Sequence, residues 1–266
     1  MRRSGRLMVA SDPWLAARAQ DRARVAAAEH ELVPAVRAAV GAYLAEVRAG
    51  LGLSGTLTAA ATPGGGEPDW SGWPGEGWWR QLVQRHIAPV WRRVWAGAYG
   101  HTAPQAPDGA GAGRAEDEVE AMADRLRAWP RRVWDRMRRA WRDGAACGES
   151  AAQLRERVAE LATLEAWDGS ALTMTRTEVI GALNAGSLSA ALDEQARTGR
   201  RWTKRWLATA DDRTRATHRA ADGQTTLLTE RFAVGHARIQ FPGDPRGPAG
   251  EVINCRCSMQ VRPSAE

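Results

Sequence analysis

The chain has 266 residues, a length that can bury one large core or two smaller ones. Its content of 44% hydrophobic and 26% charged residues is ordinary for a globular protein. No apolar run approaches the roughly 20 residues of a membrane span, and none follows the basic residues 1–6, so we expect neither a membrane segment nor a signal peptide. The net charge of +6 predicts attraction to polyanions, and three cysteines, an odd number, favour synthesis in a reducing cytoplasm over a disulfide framework.

The first part of the chain is predicted to be a helical region, residues 1–61. Within it, residues 12–50 are rich in Ala, Arg, Glu and Leu and follow a capping Ser11-Asp12 pair, which predicts a helix that Pro34 kinks or divides. Residues 62–77 are rich in Gly and Pro and are predicted to form a linker.

A second helical region is predicted over residues 78–165. Apolar residues at helical spacing predict a helix over 78–99, and another over 116–142 that is interrupted near a proline. Residues 101–115 are rich in Gly, Ala and Pro and indicate a linker between these two helices. A last helix is expected at 150–164, with a serine cap.

The pattern changes in residues 166–266, which are predicted to be one further domain. A helix over 168–197 should end at a glycine cap. Short strands separated by turns are expected at 225–228, 239–241 and 259–261. The predicted fold class is therefore α+β, with a mainly helical N-terminal region followed by a small α+β C-terminal domain.

The same C-terminal region contains an ordered series of special residues. They are Arg176-Thr177-Glu178, Asn184, Lys204-Arg205-Trp206, Asp211, Arg213, Thr214, Arg215, His218, Asp222-Gly223, Pro242-Gly243-Asp244-Pro245 and Asn254-Cys255-Arg256-Cys257. This order, over roughly residues 170–262, resembles the phage Mu F-like minor head proteins, also called phage head morphogenesis proteins. In that family the Lys204-Arg205-Trp206 segment corresponds to a strand.

The resemblance implies a structural virion protein rather than an enzyme. Such a protein would be made in the host cytoplasm and would associate with the portal protein, the major capsid protein and the capsid interior during head assembly and DNA packaging. An effector that joins this domain to a toxin domain is the less favoured expectation, because the sequence ends a few residues after Cys257.

Cys255 and Cys257 are two residues apart, so on a strand both sulfurs would face one side and Arg256 the other. With His218 as a third ligand, and Asp211 or Asp222 as a fourth, they could hold zinc. The alternative, which we favour, is that both cysteines are small buried hydrophobes and that no cofactor is bound. A disulfide between them would be strained.

Asp211, Arg213, Arg215 and His218 fit neighbouring helical turns, where an Asp211–Arg215 pair could form. One hypothesis is a metal-dependent hydrolase or nuclease centred on His218 and the two cysteines, with His218 as a general base. The favoured hypothesis is a buried hydrogen-bond network, because no nucleophile, base and oxyanion-binding set can be assembled. Residues expected in the same network are Arg176, Glu178, Asn184, Asp222, Gly223 and Asn254.

Two basic stretches are candidates for contact with double-stranded DNA or with an acidic partner surface. Arginines bind phosphates, and the tryptophans between them could stack on bases, although a core position is the favoured role for the tryptophans. The candidate contact residues are Arg131, Arg132, Arg138, Arg139, Arg200 and Arg201.

Overall fold

A computed structural model describes residues 15–53 and 70–264. The predictions for the cap at Ser11-Asp12 and for most of the linker at 62–77 lie outside these residues. The predicted α+β fold class is confirmed, because helices dominate and small antiparallel sheets lie near the C-terminus.

The helical part consists of seven labelled α-helices within the described residues. They are α1 (Leu15–Gly50), α2 (Glu76–Leu82), α3 (Ala88–Thr102), α4 (Ala112–Leu126), α5 (Trp129–Ala146), α6 (Ala151–Leu161) and α7 (Asp168–Thr198). A π-helical stretch, Val83–Ile87, joins α2 to α3. Helix α1 continues across Pro34, so that proline does not divide it.

Several helix boundaries follow the local chemistry. The helix predicted over 116–142 is two helices, and Pro130 lies in the first turn of α5, where a missing N–H costs no helical hydrogen bond. Ser150 accepts a hydrogen bond from the backbone of Gln153, whose side chain accepts one in return, so α6 begins with a capping box. Between α3 and α4, turns occupy only residues 103–111 of the predicted linker.

The end of the other predicted linker is packed against the helices. Trp70–Gly72 form a short 3-10 helix, and α2 begins at Glu76. The Trp70 and Trp73 rings meet the Trp134 ring edge-on, with centroids 5.6 and 4.2 Å apart. Residues 70–77 are therefore part of the folded unit.

One continuous cluster of buried side chains runs from α1 to the last strand, and α7 lies at its centre. Helix α7 packs against α1, α3 and the C-terminal sheet. Most of the unusual tryptophan content belongs to this core, as predicted: Trp79, Trp91, Trp129 and Trp206 are fully buried. The Tyr43 ring has three tryptophan rings, Trp73, Trp79 and Trp129, around it.

After α7 the chain forms two small antiparallel sheets and two short helices. The elements are β1 (Trp202–Leu207), α8 (Ala216–Ala221), β2 (Thr225–Leu227), β3 (Phe232–Val234), β4 (Ala237–Ile239), α9 (Ala249–Val252) and β5 (Ser258–Pro263). Strand β1 lies between β2 and β5, and β3 pairs with β4 in a hairpin. Strand β3 was not predicted from the sequence. The strand predicted at 239–241 is β4, which begins two residues earlier, at Ala237.

Candidate functional site

The segment before α8 is a turn and not the helix that the sequence predicted. Asp211 therefore does not pair with Arg215. It accepts hydrogen bonds from the Arg256 guanidinium, with Nη2 at 2.8 Å, and from the Thr214 hydroxyl at 3.0 Å. The Arg256 guanidinium holds the pKa of Asp211 well below its usual range. Arg215 instead donates to the Ile253 carbonyl at 2.6 Å.

The Asn254–Cys257 segment follows α9 and leads into β5. Asn254 has a φ of +57° in the left-handed region, which asparagine tolerates better than most residues. Its backbone N–H donates to the Thr177 hydroxyl of α7 at 2.8 Å. The side chains then alternate: Cys255 and Cys257 are buried at 1% and 2% exposure, while Arg256 faces a cavity. Both sulfurs lie against the His218 ring, although residues 255–257 are not the strand on which the expectation of a shared side was based.

His218 lies directly against the two sulfurs. Its Nδ1 atom is 3.3 Å from Cys257 Sγ and 3.6 Å from Cys255 Sγ. Its Nε2 atom, on the other edge of the ring, is 3.0 Å from Glu251 Oε2. The Thr217 hydroxyl donates to the same Glu251 oxygen at 2.9 Å. No role was predicted for Glu251, because no spacing rule links α9 to α8.

The two thiols interact with each other as well as with the histidine. A hydrogen bond from Cys255 and the adjacent His218 ring lower the pKa of Cys257. The same thiol–thiol hydrogen bond, together with burial, raises the pKa of Cys255.

Asn184 and Glu178 connect α7 to the rest of the domain. Asn184 donates to the Pro242 carbonyl at 2.9 Å and accepts from the Met259 N–H at 2.9 Å. Glu178 is fully buried and pairs with Arg125 of α4, and burial raises the pKa of this carboxyl. Both residues connect α7 to other elements, and the partner Arg125 was not predicted because it precedes the motif region.

Asp222 and Gly223 lie outside the cysteine–histidine centre. Asp222 accepts hydrogen bonds from Arg18 of α1 at 2.8 Å and from the Ala208 N–H at 2.8 Å. Gly223 has a φ of +79°, and an added Cβ would lie 2.8 Å from the Arg205 guanidinium. Since Asp211 and Asp222 are both engaged elsewhere, neither is the fourth metal ligand considered from the sequence.

A cavity of about 500 Å³ lies between α1 and the C-terminal domain. It is lined by the motif residues Arg176, Arg213, Arg215 and Arg256 and by Arg18 and Arg22 of α1. Arg176 lines this cavity, whereas Glu178, two residues later in α7, pairs with Arg125. Asn254 and Arg256 face this basic cavity, and the sulfurs of Cys255 and Cys257 are buried on the other side of the same segment.

The two predicted basic contact sites are far apart. Arg131, Arg132, Arg138 and Arg139 are exposed on α5, whose Trp129 donates to Ser170 near the start of α7. Arg200 and Arg201 are exposed just beyond the end of α7. The 31 residues of α7 span about 45 Å at 1.5 Å per residue, so the two sites do not form one surface.

With this geometry in place, comparison with known proteins identifies the domain. Residues 132–260 match the family model described as Phage Mu protein F like protein. This chain carries a phage Mu F-like domain. The match begins within α5, earlier than residue 166, and includes the whole cysteine–histidine centre. The matched family is that of phage head morphogenesis proteins, and proteins of this kind are generally structural.

A second similarity covers a smaller part of the chain. Over 91 residues the chain is 36% identical to an NAD(+)–arginine ADP-ribosyltransferase, EFV, of Enterococcus faecalis. That alignment covers 33% of this chain and only 18% of the enterococcal protein. No solved structure gives a significant match. Among residues 15–53 and 70–264, none of the helices combines the length and apolar character that a membrane crossing requires.

Proposed function

We propose that this phage Mu F-like protein is a structural component that associates with the portal protein and the inner face of the capsid while the head is assembled and filled with DNA. The match over residues 132–260 carries the proposal. The buried state of the motif residues supports it, since His218, Cys255 and Cys257 are at most 2% exposed and offer a substrate no access.

The motif residues act in this proposal as internal connectors. Asn184 joins α7 to the Pro242 loop and to β5, and Arg125 joins α4 to Glu178 of α7 and to the Gly243 carbonyl. Hydrogen bonds of this kind, made deep in the protein, fix one arrangement of the elements. A rigid C-terminal module results, on which exposed helices can present a binding surface.

The exposed arginines of α5 form the proposed contact with packaged double-stranded DNA. Arg131 and Arg132 recur as Arg138 and Arg139 seven residues later, which places the pairs about two helical turns apart on one side of the helix. The four arginines are exposed, so their charges remain available to phosphate groups.

Co-expression tests the head-protein role. The chain would be produced together with the portal and major capsid proteins of the same phage, and each partner would be tagged in turn. We expect the chain to elute with the portal protein or with assembled heads after a high-salt wash. Elution as a free protein from every combination would overturn the proposal.

A gel shift with double-stranded DNA at several salt concentrations tests the α5 contact. Replacing Arg138 and Arg139 by serine should weaken binding and reduce the slope of log affinity against log salt by up to about 2, since each phosphate contact contributes about 0.9. Replacing Arg200 and Arg201, which are exposed just beyond the end of α7, removes the same charge outside α5 and is the matched control. Equal weakening by both variants, or no binding at low salt, would contradict the α5 contact.

A further inference from the structure

We propose that His218, Cys255 and Cys257 form a binding site for one zinc ion, which joins α8 to the start of β5. The proposal is independent of the head-protein role. Within the described part of the chain, these three side chains place one imidazole nitrogen and two sulfurs within 4.8 Å of one another. All three residues are buried.

The distances between the ligand atoms match tetrahedral zinc coordination. Zinc lies about 2.3 Å from a cysteine sulfur and about 2.0 Å from a histidine nitrogen, so a tetrahedral angle separates sulfur and nitrogen by about 3.5 Å. The distances from His218 Nδ1 to the two sulfurs are 3.3 and 3.6 Å. Both distances are therefore close to the value that tetrahedral zinc requires.

The second edge of the histidine ring supplies the supporting contact that metal-bound histidines usually have. Nε2 can donate its proton to Glu251, 3.0 Å away, which leaves the Nδ1 lone pair directed at the sulfurs. The Thr217 hydroxyl fixes the same carboxylate oxygen at 2.9 Å. Because Glu251 lies on the opposite edge of the ring from the sulfurs, it orients the histidine and does not itself ligate the ion.

A zinc site accounts for this geometry more fully than a purely hydrophobic role or a catalytic role of the cysteines does. If the cysteines were only small hydrophobic side chains, nothing would require a histidine nitrogen, held by a carboxylate, to face both sulfurs. The Cys257–His218–Glu251 series has the order of a nucleophile, a base and an orienting acid. However, Cys257 and His218 are each 2% exposed, and the nearby cavity is lined by Asn254 and Arg256 on the other side of the segment.

Cysteine binds Zn²⁺ as a thiolate, so the two sulfurs would supply two negatively charged ligands to the ion. The ion would connect residues 37 and 39 positions apart in the chain, in a domain whose sheets contain strands of only three to six residues. Three protein ligands leave the fourth tetrahedral position to a water or another small ligand. Because His218, Cys255 and Cys257 are at most 2% exposed, a substrate has no access to that position, and the ion would stabilise the fold.

The experiment measures zinc in the full chain, purified without a metal-affinity tag and under reducing conditions. Inductively coupled plasma mass spectrometry should find about one zinc per chain in the unaltered protein. Cys257→Ser and His218→Ala should reduce this content at least tenfold. Cys147→Ser is the matched control, because Cys147 is the exposed free cysteine outside the centre, and it should keep the zinc.

Two measurements on the unaltered protein keep the test decisive if the variants do not fold. Cobalt added after chelation should give thiolate-to-cobalt charge-transfer absorption, and a chelator should lower the melting temperature and expose two further thiols to a thiol reagent. A folded protein that takes up neither zinc nor cobalt would overturn the proposal. Loss of zinc from Cys147→Ser with retention in Cys257→Ser would overturn it equally.

Discussion

Lys204 shows how strongly one residue's environment can depart from what its type predicts. It is the only lysine in the chain and is fully buried in β1. Its Nζ donates to the Gln240 carbonyl at 2.7 Å and lies 5.0 Å from the centre of the Phe232 ring. Burial lowers the pKa of Lys204 from 10.5 to about 7, because a charged amine loses solvation there.

This burial predicts a rise in stability with pH. The unfolded chain keeps the Lys204 proton up to about pH 10.5 and the folded chain up to about pH 7, so between these values the unfolded state binds more protons. Between pH 7 and pH 10 the free energy of unfolding should increase by up to a few kcal/mol relative to that of Lys204→Met, since one pKa unit corresponds to about 1.4 kcal/mol. Urea denaturation of both proteins across this range measures the difference.

A direct titration serves as the control for this prediction. Labelling with ¹³C-lysine gives one side-chain signal, because there is one lysine. Its chemical shift should change with a midpoint near pH 7, and a midpoint near pH 10.5 would contradict the prediction. A constant stability difference between the two proteins over the same range would contradict it as well.

At the scale of elements, the sequence predicted the helices better than the strands. Helix α7 could be predicted because helix-forming residues continue up to Gly199, whose φ of +70° ends the helix. Strands β3 and β4 have only three residues each, too few for an alternating pattern, and their pairing depends on a turn between them. Neither spacing nor composition could show that Arg125 reaches Glu178 or that Glu251 reaches His218, because these contacts join separate elements.

The contact between α3 and α7 leads to a second prediction. The two helices meet so closely at Gly186 that an added Cβ would lie 2.3 Å from the Trp95 carbonyl oxygen. Gly186→Ala must push the helices apart and should destabilise the protein by about 1–3 kcal/mol. Gly169→Ala in the same helix meets no atom within 4 Å and should be neutral or stabilising by up to about 1 kcal/mol. Chemical denaturation compares the two, and equal stability of both variants would show that this crossing is not tight.

At the scale of the whole molecule, the continuous core predicts cooperative unfolding. One buried cluster includes residues from α1 to β5, and α7 belongs to both the helical part and the C-terminal domain. Arg18 of α1 further binds Asp222 beside β1, and Arg37 of α1 binds Asp168 at the start of α7. We therefore expect the helical regions and the Mu F-like domain to unfold together.

Urea titration followed by two signals measures this cooperativity. Far-ultraviolet circular dichroism reports mainly on the helices, and tryptophan fluorescence reports on rings throughout the core, from Trp79 to Trp206. The two transitions should have the same midpoint. Midpoints that differ beyond error would show that the C-terminal domain unfolds separately from the helices.

The central claim, that this chain is a structural part of a phage head, is tested most directly on purified heads. Heads assembled in cells that produce the chain would be treated with protease and nuclease, opened, and analysed by quantitative mass spectrometry. The account predicts that the chain is present in a fixed, small number of copies per portal assembly and is protected from protease until the heads are opened. Its absence from the heads, with the protein remaining free in the same lysate, would contradict the account.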